Sequence, residues 1–288
     1  MMAGSRRRWL ALVGAAALLA SCGSVSTQSD KPHPSDGQVS VREGGGQLHW
    51  IIAASGLEKL KSVAGASFIA ARFDSPGNYV VVGATPPAYL ASWHANIVVD
   101  SRSLAGLKTA IASRVGFVLF DIEDWRFTPT SQASDPISTL SQAAALAASS
   151  GSRLIAAPAL DLAKLIAGRG TIRSKFLASG ILGAAAKGSW AIDIQAQSLE
   201  MEPSVYRSFV ATAAAQIAAV NPNVRIFAGL STNPSGRRVS AAELAKDVAA
   251  TRSMVYGYWL NVPSGGSACP ACGVAQPEVL VQLLSSLA

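Results

Sequence analysis

The chain has 288 residues, half of them hydrophobic, with 24 Lys and Arg against 17 Asp and Glu, a formal net charge of +7. Without residues 1–21 the balance is 21 basic against 17 acidic residues, a mild +4. No Lys/Arg cluster survives in the body, so no nucleic-acid partner is expected, and the remaining length suffices to bury one large core.

In chain order, the first feature is a targeting segment. Arg6, Arg7 and Arg8 precede an apolar run from Trp9 to Ala20, too short to span a bilayer comfortably. The run ends in Leu19-Ala20-Ser21-Cys22. This order resembles the lipobox of bacterial lipoproteins. The resemblance implies a signal peptide over residues 1–21, acylation of Cys22, and an exported protein anchored by its lipid on the outer face of the cell membrane. Ser5-Arg6-Arg7-Arg8-Trp9-Leu10 also resembles a twin-arginine export signal, with an ordinary basic start as the alternative. Residues 22–47, the Cys and a stretch rich in Ser, Gly, Pro and charge, are expected to form a disordered tether. Coil of that length spans about 25–30 Å end to end.

From residue 48 to 288 apolar runs alternate with helical stretches. Strands are predicted at His49–Ala54, Tyr79–Gly83, Ile97–Asp100, Val115–Asp121, Arg153–Ala157, Trp190–Gln195, Arg225–Leu230 and Val255–Asn261. Phe68–Arg72 is a competing strand-like segment. The clearest helix is Pro203–Val220, where Val205, Phe209, Ala213, Ile217 and Val220 fall on one face. Pro136–Ser149 ends at Gly151, Ser240–Arg252 opens on a Ser with Glu243 three residues on, and Pro277–Leu287 closes the chain. Shorter helices fit Leu57–Val63, Pro87–Trp93, Leu104–Ser113 and Leu162–Ala167. Eight strands alternating with helices is the pattern of a single α/β domain of (β/α)8 barrel type. An open doubly wound sheet is the alternative, but it would carry a Gly-rich phosphate turn, and no GxGxxG or GxxxxGK[ST] occurs.

The fourth strand is the most informative. Val115-Gly-Phe-Val-Leu-Phe120 breaks into Asp121, Glu123, Asp124 and Trp125. Residues two apart share a strand face, so Asp121 and Glu123 lie side by side beyond an apolar wall. The alternative is an acidic helix N-terminus. In a barrel all strand tips meet in one pocket, and the other tips carry Asp100, Asp161, Gln195, Gln197, Asn233, Trp259 and Asn261, with Glu200 close by. Asp193 is expected on the inward face of strand six, while Trp190 and Tyr256 read as packing residues and Arg237-Arg238 as a solvated loop. Acids, amides and an indole are what a sugar requires: acid/base groups, paired hydrogen bonds, and a flat apolar platform.

Phe120-Asp121-Ile122-Glu123-Asp124-Trp125 looks like the strand-four motif of family 18 chitinase-like barrels, and Trp259 looks like the Trp that floors their sugar site. The resemblance implies Glu123 as proton donor and Asp121 as the group orienting an acetamido substituent. The motif departs at Leu119, where the family has a further Asp, and at Ser231-Thr232-Asn233, where retaining hydrolases place a second Glu. The chain more closely resembles an uncharacterised family of exported actinobacterial lipoproteins, at Ala156–Leu162, Asp193–Glu200, Gly229–Arg238 and Gly257–Pro263. The expectation is a lipid-anchored, glycoside-hydrolase-like protein acting on envelope or extracellular polysaccharide. A non-catalytic barrel binding a glycan or a partner protein is the alternative.

Cys269 and Cys272, in Cys-Pro-Ala-Cys, are expected to form a disulfide in an exported protein. A thiol–disulfide catalyst is the lesser alternative, since such a motif belongs early in a thioredoxin-like unit. No metal and no cofactor are expected, because His33, His49 and His94 are scattered without ligand spacing.

Overall fold

A computed structural model of the chain describes residues 47–83, 85–266 and 269–287. The segment expected to be a signal peptide, Cys22 and nearly all of the expected tether lie outside them. Eight parallel strands close on themselves in sequence order: β1 His49–Ala53, β2 Tyr79–Val82, β3 Asn96–Ser101, β4 Phe117–Ile122, β5 Arg153–Pro158, β6 Ala191–Ile194, β7 Arg225–Ser231 and β8 Gly257–Asn261. Closure is made by β1 on β8, with Ile51 opposite Trp259. The fold is a (β/α)8 barrel, and the open doubly wound sheet is excluded.

The helices between the strands are α1 Ala54–Ala64, α2 Ala66–Phe73, α3 Leu104–Ala112, α4 Thr130–Ala133, α5 Pro136–Ser150, α6 Ile172–Ala178, α7 Ile181–Gly188, α8 Pro203–Val220, α9 Ala241–Thr251 and α10 Pro277–Ser286. Local chemistry explains several boundaries. Ser240 and Glu243 form the reciprocal capping box that opens α9. Pro203 starts α8, and Gly151, in the left-handed conformation, ends α5.

Phe68–Arg72 is helical, not a strand. Ile69 and Phe73, four apart, are its buried positions, which is the helical period. The segments expected as helices at Pro87–Trp93 and Leu162–Ala167 are short 3-10 turns at Ala88–Ser92 and Leu160–Lys164. Two helices follow instead, α6 capped by the Thr171 side chain and α7 begun at left-handed Gly180. Gly168, Gly170 and Gly180 break the apolar period there, and so hid both helices from pattern reading.

Strand alternation divides the apolar residues between two cores. Val118, Phe120 and Ile122 of β4 pack outward against the helices, in the large layer that also holds Leu140, Phe209, Ile217 and Leu283. Phe117 and Leu119 point inward with Ile51, Val81, Val98, Ile155, Ala191 and Phe227. The inner face is thus apolar through the lower barrel, and the next inward positions are Asp121 on β4 and Asp193 on β6.

Candidate active site

A cavity of about 540 Å³ opens at the C-terminal end of the strands. Its wall includes Asp100, Asp121, Glu123, Asp161, Gln195, Gln197, Trp259 and Asn261, eight of the residues expected to converge there. Ser55, Lys59, Arg102 and Trp125 line it as well, and Cys269 and Cys272 form part of its rim.

Asp121 ends the inward row of β4 and is buried. Gln195 donates from Nε2 to Asp121 Oδ1 at 2.8 Å and to the Ala157 carbonyl at 2.9 Å, so one amide fixes the acid against β5. Glu123 follows just beyond the strand. Its position is set by Thr128, whose Oγ1 accepts the Glu123 N–H at 3.3 Å and the Trp125 indole N–H at 2.9 Å. The next helix, α4, begins only at Thr130, so these acids do not cap a helix.

Arg102 lies between the acids. One guanidinium nitrogen is 2.9 Å from Asp100 Oδ2, and the guanidinium packs 5.0 Å from the centre of the Trp125 ring and 5.1 Å from that of Phe127. Asp161 accepts the Asp124 N–H at 3.0 Å and the Lys164 ammonium at 3.3 Å. Opposite, Lys59 donates to the Val262 carbonyl at 2.6 Å and to Ser264 at 3.1 Å, tying α1 to the segment after β8.

These surroundings shift the carboxyl groups. Burial, then the neighbouring Glu123 and Asp100, holds Asp121 well above the ordinary carboxylate range against the opposing pull of Arg102 and Gln195. Glu123 is pushed up to about 7, first by burial and then by the negative charge of Asp161. Arg102 and Lys164 oppose that rise. Asp100 is raised by burial, partly offset by Arg102. A carboxyl that keeps its proton near neutral pH, as Glu123 does, is what general acid catalysis requires.

Two expected residues are not in the cavity. Glu200 is fully buried and accepts the Ser231 N–H, its other oxygen having no partner among the described residues. It sits behind the β7 tip instead of facing a ligand. Asn233 is equally buried, and its Nδ2 donates to the Cys272 carbonyl at 2.7 Å and reaches those of Pro263 and Val274 at 3.3 Å. It holds the loop closed by the Cys269–Cys272 disulfide, so its role is structural. Asp193 does face the barrel interior, fully buried below the cavity. Neither of its oxygens has a partner among the described residues, and burial raises it well above the usual range.

Arg102, Lys59 and Trp125 were not anticipated as wall residues. Arg102 had a signal, since it follows Asp100 by two residues at a strand tip and so shares its face. Lys59 had a weaker one, a single turn after Ser55 at the start of α1. Gly229 marks a third contact: a Cβ there would lie 2.3 Å from the Gln197 side chain, so glycine leaves the space that amide occupies. Among the described residues no group of three or more His, Cys, Asp or Glu has the arrangement of a metal site.

A closed eight-stranded barrel with acids, amides and aromatics gathered at the C-terminal strand ends defines the class: a (β/α)8 barrel with a polar mouth cavity. No family model matches the chain, and no curated protein matches it. Among solved structures it is similar to a triosephosphate isomerase from Bartonella henselae, with a TM-score of 0.46 and 10% identity over 74% of this chain and 92% of that one.

Proposed function

We propose that the protein is exported, anchored by a lipid on Cys22, and acts on a polysaccharide of the envelope or its surroundings, with Glu123 donating a proton to the glycosidic oxygen. The observation that carries this reading is Glu123 itself: a carboxyl pushed up to about 7 on the wall of a cavity that it shares with Asp121, Asp161 and Trp259. Asp121, raised by burial and fixed by Gln195, holds the neighbouring position on the same wall. Trp259 and Trp125 offer flat apolar faces for a pyranose, and Gln197 and Asn261 offer amides to its hydroxyls.

The test is turnover of a panel of envelope and plant glycans by the wild type and by Glu123→Gln. Loss of the donor lowers the rate by roughly 10²- to 10⁴-fold, while calorimetry shows glycan binding retained. Wild-type turnover falls as pH rises through about 7, because Glu123 then loses its proton. Equal turnover by the two proteins rules the assignment out.

A second reading, a barrel that binds a glycan or partner protein without cleaving, has its own support. The β7 tip offers Ser231 and Thr232 but no carboxylate, and Glu200 is turned away from the cavity onto the Ser231 amide. Saturable glycan binding with no turnover by the wild type would select it.

A further inference from the structure

We propose that the opposite end of the barrel is a docking surface for anionic lipid headgroups, which holds the cavity mouth facing away from the bilayer. The bilayer as occupant rests on the lipid-anchor reading above. The surface itself rests on charge and topology.

The connections that lead from helices into strands all lie at the N-terminal end of the barrel. They and the residues flanking them carry Arg72, Arg114, Arg153, Lys187, Arg225 and Arg252. The only acid in these connections among the described residues is Asp74, and it already faces His94 at 3.3 Å. None of the six cations forms an ion pair among the described residues. Helix dipoles account for part of this pattern: Arg72 and Lys187 lie in last turns and Arg252 directly follows α9, where cations are favoured. Exposed Arg114, one residue beyond the C-cap of α3, falls at such an end too, whereas dipoles do not account for Arg153 and Arg225, the first residues of β5 and β7, which lie over aromatic rings.

Chain direction supplies the second argument. The segment from Cys22 enters the barrel at β1, whose first residue, His49, lies at this same end. A lipid on Cys22 therefore tethers the protein from its basic face. The half-buried rings of Trp190 and Tyr256 lie directly beneath Arg153 and Arg225, the residue types that settle at a headgroup boundary. Near an anionic leaflet each such cation strengthens attachment about fivefold, an effect that salt screens.

The experiment uses the exported chain with a fluorophore on Asn223→Cys at the basic end or on Met201→Cys at the mouth, both exposed positions. Vesicles of phosphatidylcholine with phosphatidylglycerol carry a headgroup quencher. The label at residue 223 is expected to be quenched and the label at residue 201 not. Replacing phosphatidylglycerol by phosphatidylcholine abolishes the difference. Arg114→Glu, Lys187→Glu and Arg252→Glu together weaken docking by at least about a hundredfold, the factor for losing three cations alone. Equal quenching of the two labels on anionic vesicles overturns the proposal, as does base quenching that ignores the triple reversal. Capture by soluble polyphosphate but not by vesicles also overturns it, in favour of a polyanionic polymer. The mass of the exported chain reports acylation of Cys22 separately: asymmetric quenching without acyl groups removes the anchor and keeps the surface, and acylation with symmetric quenching does the reverse.

Discussion

The two ends of this barrel use the same alternation of strand residues for opposite purposes. At the C-terminal end inward side chains are acids and amides around an open cavity, and Arg102, the one arginine on its wall among the described residues, is paired with Asp100. At the N-terminal end the inward side chains are rings, and the charges lie outside them. Arg153 stacks 4.2 Å from the centre of Trp190, Arg225 lies 3.8 Å from the same ring and 5.3 Å from Tyr256, and His49 stacks on Tyr256 at 4.1 Å. Burial of unpaired acids is costly and is tolerated where chemistry needs it. A cation on an aromatic face is stabilising and keeps the end closed. One end stores unfavourable electrostatics, and the other stabilises the barrel that bears them.

The largest expected effect separates the two Trp residues. Trp190→Ala removes the ring shared by two arginines, its hydrogen bond to Tyr79 at 3.2 Å and its edge contact with Phe117. It should cost about 3 kcal/mol in urea denaturation, near the lower end for a large aromatic truncation. Trp259→Ala, on the cavity wall, should cost less stability and lose ligand affinity instead. Equal stability losses would mean that the mouth is as structural as the base.

The next effect is on pH. Asp121, Asp193 and Glu200 are raised by burial, and Glu123 and Asp247 are pushed up to about 7. In the unfolded chain such groups titrate near 4. Between about pH 4 and 7 the folded state therefore holds more protons than the unfolded one, so stability falls as pH rises through that window. Below it the penalty is absent, and for Glu123 and Asp247 it is complete above about 7. Glu123→Gln should add about 1–2 kcal/mol at pH 8 and only about a quarter of that at pH 5. Chemical denaturation at the two pH values checks this, and a flat profile would remove the claim that the mouth stores unfavourable charge.

The barrel was legible because its signals are periodic. Each of the eight strands is an apolar run of about the right length, and every run falls within a residue or two of the observed strand. The tips of β3, β4, β5, β6 and β8 could be assigned to one pocket from topology alone, which is why Asp100, Asp121, Glu123, Asp161, Gln195 and Trp259 meet as expected. Glu200 and Asn233 misled because both follow a strand tip in sequence, and chain position does not say which way a side chain turns in a loop. Glu200 is held by a backbone amide and Asn233 by three carbonyls, contacts contributed by segments more than 25 residues away. The ladder of arginines and rings at the base was hidden for the same reason: Arg153, Trp190, Arg225 and Tyr256 are far apart in sequence and meet only when the barrel closes.

The smallest expected effect tests whether the two ends are electrically independent. Arg102 pulls the pKa of Glu123 down toward the ordinary range, whereas Arg153 stands at the far end of β5 and has no such influence. Arg102→Met should therefore raise the Glu123 value, moving the upper limb of the pH–rate profile to higher pH by less than one unit, equivalent to about 1 kcal/mol. Arg102→Lys keeps the charge and should restore most of the original profile, even though it loses the planar stack on Trp125. Arg153→Met should leave the profile unchanged while costing at most about 1 kcal/mol of stability through its lost stacking. A profile that moves equally in Arg153→Met and Arg102→Met would show that the field at the mouth is set by the net charge of the whole barrel. Movement confined to Arg102→Met would place control of Glu123 in the cluster of Asp100, Arg102 and Asp161.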